Sequence, residues 1–304
     1  MLEQFEKLIV VAGCQRSGTT LTGQILGAHP NAFLIDEPDG LYPWFDAYVS
    51  GDGEAQRLWN KLIVAADEKY QPDHRRLRGG ADGERPFSAA VRYAVLKAPN
   101  LTYDFKALAG FDIPVTIVFP VRDPRPVVAS MAVLDSIPMV EKQVRLIRAR
   151  PDIHALFAGE VAMLEDPLVP KHVKRTIFWR IKSTMYRRFL EQGLPTFMFR
   201  YEDMVADKAA YCRKIAEHAG IAEHYYLTHH EEVYVGFGPG NTRRSRPVDL
   251  RSMEKWKSQL THEQEADIIA TAGSAFHEFG YDEPPKNNAI RVLAQWVRGL
   301  VGTR

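Results

Sequence analysis

The feature that most constrains this 304-residue chain is a glycine-containing segment near its start, with the sequence GCQRSGTT at positions 13–20. It follows the apolar run Leu8–Val11 and precedes a helical pattern over Thr20–Ala28. A strand, a glycine loop and a helix start in this order cradle phosphate with backbone N–H groups and the helix dipole. The segment therefore predicts an anion site at the end of a first strand.

The loop has the glycine spacing of a nucleotide P-loop but lacks its lysine. Thr19 stands where that lysine would bridge the β and γ phosphates of a triphosphate. The cation of the segment is Arg16, inside the loop. This difference disfavours ATP hydrolysis.

Composition sets the class of protein. The chain is 45% hydrophobic and 25% charged, with a net charge of +1, which predicts a folded core and no nucleic-acid partner. The start of the chain has the pattern of a first strand rather than of a signal peptide, and no apolar run reaches the length of a membrane span. We expect a cytoplasmic protein without a transmembrane segment. The histidines have no metal-ligand spacing, so we expect no metal site.

Short apolar runs alternate with helical patterns along the chain. The predicted strands are Leu8–Val11, Ala94–Lys97, Val115–Phe119 and Thr196–Phe199. The predicted helices are Thr20–Ala28, a segment from Asp123 past Met131, Lys171–Gln192 and Lys208–His218. This alternation predicts an α/β fold, a P-loop-like three-layer arrangement with a central parallel sheet flanked by helices.

The remaining segments fit one domain with two long loops. We predict a single domain over 1–286, followed by a C-terminal amphipathic helix or tail over 287–304 that packs on the domain, forms a homodimer or touches a membrane. The polar segments 51–83 and 236–247 are predicted as loops, either covering the site or without a role.

A second anion-binding element follows the third predicted strand. Arg122 comes where a P-loop NTPase would have a Mg²⁺-binding aspartate, and Ser130 lies eight residues later. A cation and a hydroxyl in this arrangement suit an anion. Two separate elements of this kind indicate a ligand with phosphate groups at two places.

Four blocks of the sequence resemble the sulfotransferases that use 3′-phosphoadenosine 5′-phosphosulfate (PAPS). They are RSGTT at 16–20 with His29-Pro30, Arg122 with Ser130, the segment FRYEDMVAD at 199–207, and RPVDL at 246–250 leading to Lys255-Trp256. They occur in the order of the family. The similarity is greatest to the branch with protein-tyrosine sulfotransferases and many bacterial enzymes.

The resemblance implies roles for individual residues. Glu37 would be the general base, with the adjacent Asp36 as the alternative, while Arg16 and Lys97 would stabilise the charge of the transferring group. The implied PAPS-binding residues are Arg16, Ser17, Gly18, Thr19, Thr20, Arg122, Ser130, Tyr201, Arg243, Arg244 and Arg246. We predict in-line transfer of a sulfuryl group from PAPS to an acceptor hydroxyl, without a metal.

The acceptor and two competing functions stay open. A sugar, a glycolipid, a phenol or a peptide tyrosine would each supply a hydroxyl. The aromatic residues Tyr42, Trp44, Phe45, Tyr48 and Trp59 either line an acceptor pocket or belong to the core. The alternatives are a P-loop kinase of a small metabolite and a non-catalytic nucleotide-binding protein.

Overall fold

The computed structural model describes residues 1–78, 91–234, 237–238, 242–243, 245 and 253–281. Its centre is a five-stranded sheet in the order β2-β3-β1-β4-β5, in which every pair of neighbours is parallel. The strands are β1 (Lys7–Val11), β2 (Ala32–Asp36), β3 (Tyr93–Lys97), β4 (Val115–Val121) and β5 (Thr196–Arg200). The two-residue strands β6 (Phe237–Gly238) and β7 (Thr242–Arg243) form a separate antiparallel pair. The predicted α/β class is confirmed.

Both faces of the sheet are buried, which explains why its strands are continuously apolar. In β1, Leu8 and Val10 join one hydrophobic cluster, while Ile9 and Val11 join the cluster on the opposite face. Side chains alternate between the faces of a strand, so helices on both sides require apolar residues at every position.

Helices surround the sheet. In chain order they are α1 (Thr19–Gly27), α2 (Leu41–Ser50), α3 (Ala55–Arg78), α4 (Phe105–Ala109), α5 (Pro124–Ala132), α6 (Met139–Arg148), α7 (Pro151–Leu156), α8 (Ala158–Glu165), α9 (Lys171–Thr184), α10 (Tyr186–Glu191), α11 (Tyr201–Ala206), α12 (Lys208–Ala219), α13 (Tyr225–Thr228), α14 (His262–Ala272) and α15 (Ser274–Glu278). Short 3₁₀ turns occupy Leu2–Gln4, Pro99–Tyr103, His230–Glu232 and Lys255–Ser258. No helix among the described residues is long and apolar enough to cross a membrane.

The predicted loop over 51–83 is wrong for residues 55–78, which form α3. The side chains of Trp59, Leu62, Ile63 and Ala66 repeat at helical spacing and are buried in the core. This apolar stripe is the physical reason for the helix, and the polar composition around it concealed the pattern. The predicted helix over 171–192 is present as two helices, α9 and α10.

The sequence patterns did not indicate the short strands β6 and β7, which lie in the segment 236–247 predicted as a loop, nor one strand of the central sheet, β2. It lies at the edge of the sheet beside β3, with Asp36 in register with Lys97. The predicted tail at 287–304 and most of the segment 236–247 lie outside the described residues. All five strands of the central sheet are parallel, so their carboxyl ends lie along the same side of the sheet, which is where parallel α/β folds bind ligands.

Candidate active site

The glycine loop connects β1 to α1 through backbone conformations that few residues adopt. Gly13 and Gly18 have φ values of 122° and 93°, and Arg16 has φ of 68°, which is uncommon for a residue with a side chain. The Thr102 hydroxyl braces the loop, since the Gly13 N–H donates to its Oγ1 at 2.9 Å. Strained backbone held by surrounding contacts is typical of a ligand-binding loop.

The loop cation meets the second anion-binding element. The Arg16 Nε donates to the Ser130 Oγ at 2.8 Å, and the Arg122 Nη1 donates to the backbone carbonyl of Arg16 at 3.2 Å. Burial, followed by the nearby Arg122 guanidinium, lowers the pKa of Arg16. Two guanidinium groups close together in a partly buried place repel each other, and an anion bound between them lowers this repulsion. Arg16 from the glycine loop and Arg122 and Ser130 from the second element therefore form one cluster with two cations.

The ring of Tyr201 packs against this cluster. It is buried, and the Arg122 guanidinium carbon lies 4.5 Å from the centre of its ring. A Cβ on Gly18 would lie 3.0 Å from the Tyr201 Cε2 and closer still to Cδ2. Gly18 is therefore required both by its backbone conformation and by the aromatic ring against it. Tyr201, predicted as a donor-binding residue, is placed where it positions Gly18 and Arg122.

Two buried residues to which the sequence analysis assigned no role hold the peptide unit after Arg122. The Trp179 indole N–H donates to the Arg122 carbonyl at 2.8 Å, and the Asp123 N–H donates to the Glu202 Oε1 at 3.0 Å. Burial and then the neighbouring Asp123 raise the pKa of Glu202 to about 7. The position of Arg122 is thus fixed at the backbone as well as at the side chain.

A second cluster forms where β2 and β3 end. Lys97 is buried, with its Nζ 3.1 Å from the Asp36 Oδ1 and in direct contact with the Glu37 Oε2. Burial alone would lower the pKa of Lys97, but the two carboxylates outweigh it and raise the pKa above its ordinary value. The ammonium is therefore held firmly in its charged form.

The carboxylates of Asp36 and Glu37 differ in their exposure and in their partners. Asp36 is buried and pairs with Lys69 as well as with Lys97. The Glu37 side chain is 27% exposed, and its Oε1 accepts a hydrogen bond from the Tyr42 hydroxyl at 2.7 Å. Adjacent residues of an extended strand point to opposite sides. Here both reach Lys97, because Glu37 lies just beyond β2 with φ of 42°.

The other predicted site residues lie around the same edge of the sheet. Ser17 is buried in the loop, and Thr19 and Thr20 open α1. Of the predicted aromatic residues, Trp44, Phe45 and Trp59 are buried in the core, and Tyr42 reaches Glu37. Arg244, Arg246 and the side chain of Arg243 lie outside the described residues.

The carboxylate after β4 is already engaged. Asp123 caps α5 by accepting from the Arg125 N–H at 2.8 Å, and it pairs with the Arg125 guanidinium at 2.6 Å. Within the described ranges no group of three or more acidic, histidine or cysteine side chains has a metal-binding arrangement. The arrangement beside the loop is a partly buried cationic cluster on a P-loop-like α/β fold, which is suited to an anion.

The comparison with known proteins defines the family. The model of the sulfotransferase family matches residues 9–166, more than half of the 304-residue chain, and the chain belongs to that family. Protein-tyrosine sulfotransferase 1 of Danio rerio is 23% identical over 284 residues, which cover 90% of this chain and 72% of that protein. The solved sulfotransferase domain of the Synechococcus PCC 7002 olefin synthase has a TM-score of 0.50 and 16% identity, covering 89% and 94% of the two chains. The likeness to this domain is one of fold.

Proposed function

We propose that this protein transfers the sulfuryl group of PAPS to an acceptor hydroxyl. The observation that carries the proposal is the convergence of Arg16, Arg122 and Ser130 beside the glycine loop after β1, with the Lys97–Glu37 pair at the end of the neighbouring strand β3. PAPS has anionic groups at its 5′ and 3′ positions, so two cationic elements at one sheet edge suit it. Family membership supports the same donor.

Each cation has a proposed place on the donor. The loop N–H groups and Arg16 would hold the 5′-phosphosulfate, while Arg122 and Ser130 would hold the 3′-phosphate. Charge-assisted hydrogen bonds to phosphate are stronger than neutral ones, and preorganised donors stabilise charge that develops on the leaving oxygen. The backbone contacts of Trp179 and Glu202 support this role, because they fix Arg122 before any ligand binds.

Glu37 is the proposed general base. In the transfer, the bond from sulfur to the leaving phosphate oxygen breaks as a bond to the acceptor oxygen forms. Glu37 takes the acceptor proton, and Lys97 faces the charge of the transferring group. Asp36 is the weaker candidate, since two lysines and burial occupy its carboxylate.

The competing functions receive less support. A kinase needs a carboxylate for Mg²⁺ at the end of β4, and Asp123 is engaged by Arg125 and by its capping bond. A non-catalytic binding protein has no need for Glu37 in an unusual backbone conformation in contact with a buried lysine. The acceptor, a homodimer and a cytoplasmic location remain expectations.

The donor assignment is tested by calorimetric titration with adenosine 3′,5′-bisphosphate, AMP and ATP. We expect the bisphosphate to bind tightest. Arg122→Ala should weaken its binding by roughly 2–4 kcal/mol, the scale for truncating one partner of a desolvated charge pair. The same variant should weaken the binding of AMP, which lacks the 3′-phosphate, by less than about 1 kcal/mol. Arg145→Ala, at an exposed arginine of α6, is the matched control.

The AMP titration separates direct contact from loop damage, because Arg122 also bonds the carbonyl of Arg16. An equal loss for AMP and for the bisphosphate would remove the 3′-phosphate from Arg122. Preferential binding of ATP with Mg²⁺ would favour the kinase.

A further inference from the structure

Tyr42 places a phenol hydroxyl against the proposed general base. Its hydroxyl donates to the Glu37 Oε1 at 2.7 Å, while the Lys97 ammonium contacts the other oxygen of the same carboxylate. A general base must lie within about 2.6–3.2 Å of the atom whose proton it takes. Relative to Glu37, the Tyr42 oxygen therefore has the place that the oxygen of an acceptor needs.

The turn between β2 and α2 holds the phenol in this place. Glu37 and Gly40 both have a left-handed backbone conformation, with φ of 42° and 88°, and the Leu41 N–H donates to the Pro38 carbonyl at 3.2 Å. The chain thus reverses, and Tyr42, in the first turn of α2, contacts the carboxylate of Glu37. A left-handed residue that carries a side chain is uncommon and costs energy, so its presence here favours a functional reason.

Cations lie near the Tyr42 ring as well as near the Glu37 carboxylate. The Lys142 Nζ is 5.6 Å from the centre of the ring. Lys142 is exposed, and among the described residues it has no carboxylate within ion-pair distance. A sulfate ester is an anion, and opposite charges close together stabilise each other. Lys97 and Lys142 would therefore stabilise a sulfated Tyr42.

The Tyr42 hydroxyl keeps its proton until a base removes it. Burial, and then the Glu37 carboxylate, raise the pKa of Tyr42. A phenol that stays protonated continues to donate to Glu37 and does not react as a free phenolate. Transfer to it needs the proton acceptor that an external hydroxyl also needs, which is Glu37 in the proposed function.

We propose that Tyr42 is an internal acceptor, which receives the sulfuryl group of PAPS when no external acceptor is bound. The bond from sulfur to the leaving phosphate oxygen breaks as a bond from sulfur to the Tyr42 oxygen forms. The phenol proton passes to Glu37, and adenosine 3′,5′-bisphosphate leaves. The product is a tyrosine sulfate ester on the chain itself. This inference rests on the proposed function, because it uses the same donor and the same base.

Tyr48 provides a matched comparison on the same helix. It is half-buried and packs against Phe111, with the ring centroids 4.7 Å apart. Of the tyrosines in the described part of the chain, Tyr42 alone donates to Glu37. We therefore expect sulfation at Tyr42 and not at Tyr48.

The experiment incubates the purified chain with PAPS carrying radioactive sulfur, without an added acceptor, and maps the label by mass spectrometry of its peptides. The chain is produced in cells that cannot make PAPS, so that Tyr42 starts unmodified. Wild type should gain a single sulfuryl group, on the peptide that contains Tyr42. Tyr42→Phe should lose the label and Tyr48→Phe should retain it. The map of the wild-type chain decides the site even if Tyr42→Phe does not fold.

The role of the base is tested in the same reaction. Glu37→Gln should slow the labelling of Tyr42 by at least about 100-fold, since the phenol then has no proton acceptor. Its binding of adenosine 3′,5′-bisphosphate in a calorimetric titration should stay unchanged. Labelling of Tyr42 at the wild-type rate in this variant would overturn the inference.

A dilution series decides whether the transfer is internal. Labelling within one chain has a rate per chain that does not depend on protein concentration, whereas transfer between chains becomes faster as the concentration rises. We expect a constant rate. A rate proportional to concentration, or label on residues other than Tyr42, would overturn the inference.

An extract supplied as a source of acceptors separates this inference from the proposed function. A wild-type chain that labels acceptors of the extract, but stays unlabelled when incubated alone with PAPS, would overturn the internal acceptor and leave the proposed function standing. A chain that becomes labelled neither alone nor in the extract, and labels no other acceptor, would overturn both.

Discussion

The stability of the protein should depend on pH through Lys182. The pKa of this group is about 7 in the folded chain, against an ordinary value of 10.5. Between these values the unfolded chain binds a proton that the folded chain has released. Stability rises with pH wherever the unfolded state binds more protons. The buried lysine therefore destabilises the fold fully below its folded pKa, and the penalty disappears as pH rises towards 10.5.

The magnitude follows from the difference between the two pKa values. At about 1.4 kcal/mol per pH unit, the full penalty is about 5 kcal/mol. Between about pH 7 and pH 9 the relief amounts to about 2 kcal/mol. Lys182→Met removes the titrating group but leaves the Gln15 Oε1 without the donor it has in wild type, at about 1–3 kcal/mol, while the Pro99 carbonyl keeps its bond from the Thr102 hydroxyl. The prediction therefore concerns the change with pH and not the absolute difference.

The assay is urea unfolding of wild type and Lys182→Met at several pH values across this range. The wild type should gain about 2 kcal/mol relative to the variant from about pH 7 to pH 9. Other buried groups, such as Glu202, titrate in both proteins and cancel in the difference. Parallel curves would refute the reasoning, because Lys182 would then have the same charge in the folded and unfolded chains.

Three further predictions concern the site. Glu37→Gln should lower kcat by about 10²–10⁴-fold with donor binding nearly unchanged. Asp36→Asn should mainly lower stability, because it breaks a buried ion pair. Normal turnover in Glu37→Gln would move the base to Asp36. Gly18→Ala should weaken adenosine 3′,5′-bisphosphate binding in a calorimetric titration, since the added Cβ displaces the Tyr201 ring, while Gly53→Ala, with nothing within 4 Å, should not; equal affinities would contradict the close packing. EDTA should leave transfer from PAPS intact, and activity lost with EDTA and restored by Mg²⁺ would favour the kinase.

The sequence predicted β1, β3 and β4 because these strands are buried on both faces and are nearly all apolar. It also predicted β5, whose first three residues are only half-buried, from a similar short run. The edge strand β2 was not predicted, although AFLID has the length and the apolar pattern of the strands that were. The helix α3 escaped because its apolar stripe occupies one face of a polar segment.

The candidate site was predictable to the extent that it lies in local motifs. Arg16, Arg122 and Ser130 stand in recognisable segments, and the parallel sheet brings those segments to one edge. The contacts of Lys182 with Gln15 and Pro99 join segments that are distant in the sequence, which no local pattern reports. The contact of Tyr42 with Glu37 spans only five residues, but it depends on the turn between β2 and α2. One feature of the sequence indicated that Lys182 is buried. It lies four residues after Phe178, which puts it on the buried face of α9.

The most direct test of the proposed function is incubation of the protein with PAPS carrying radioactive sulfur and an extract as the source of acceptors. Wild type should move the label to an acceptor and release an equal amount of adenosine 3′,5′-bisphosphate. Glu37→Gln should bind that nucleotide but transfer label at least about 100-fold more slowly. A wild-type protein that binds the donor and transfers no label to any acceptor, or that instead transfers phosphate from ATP, would contradict the proposal.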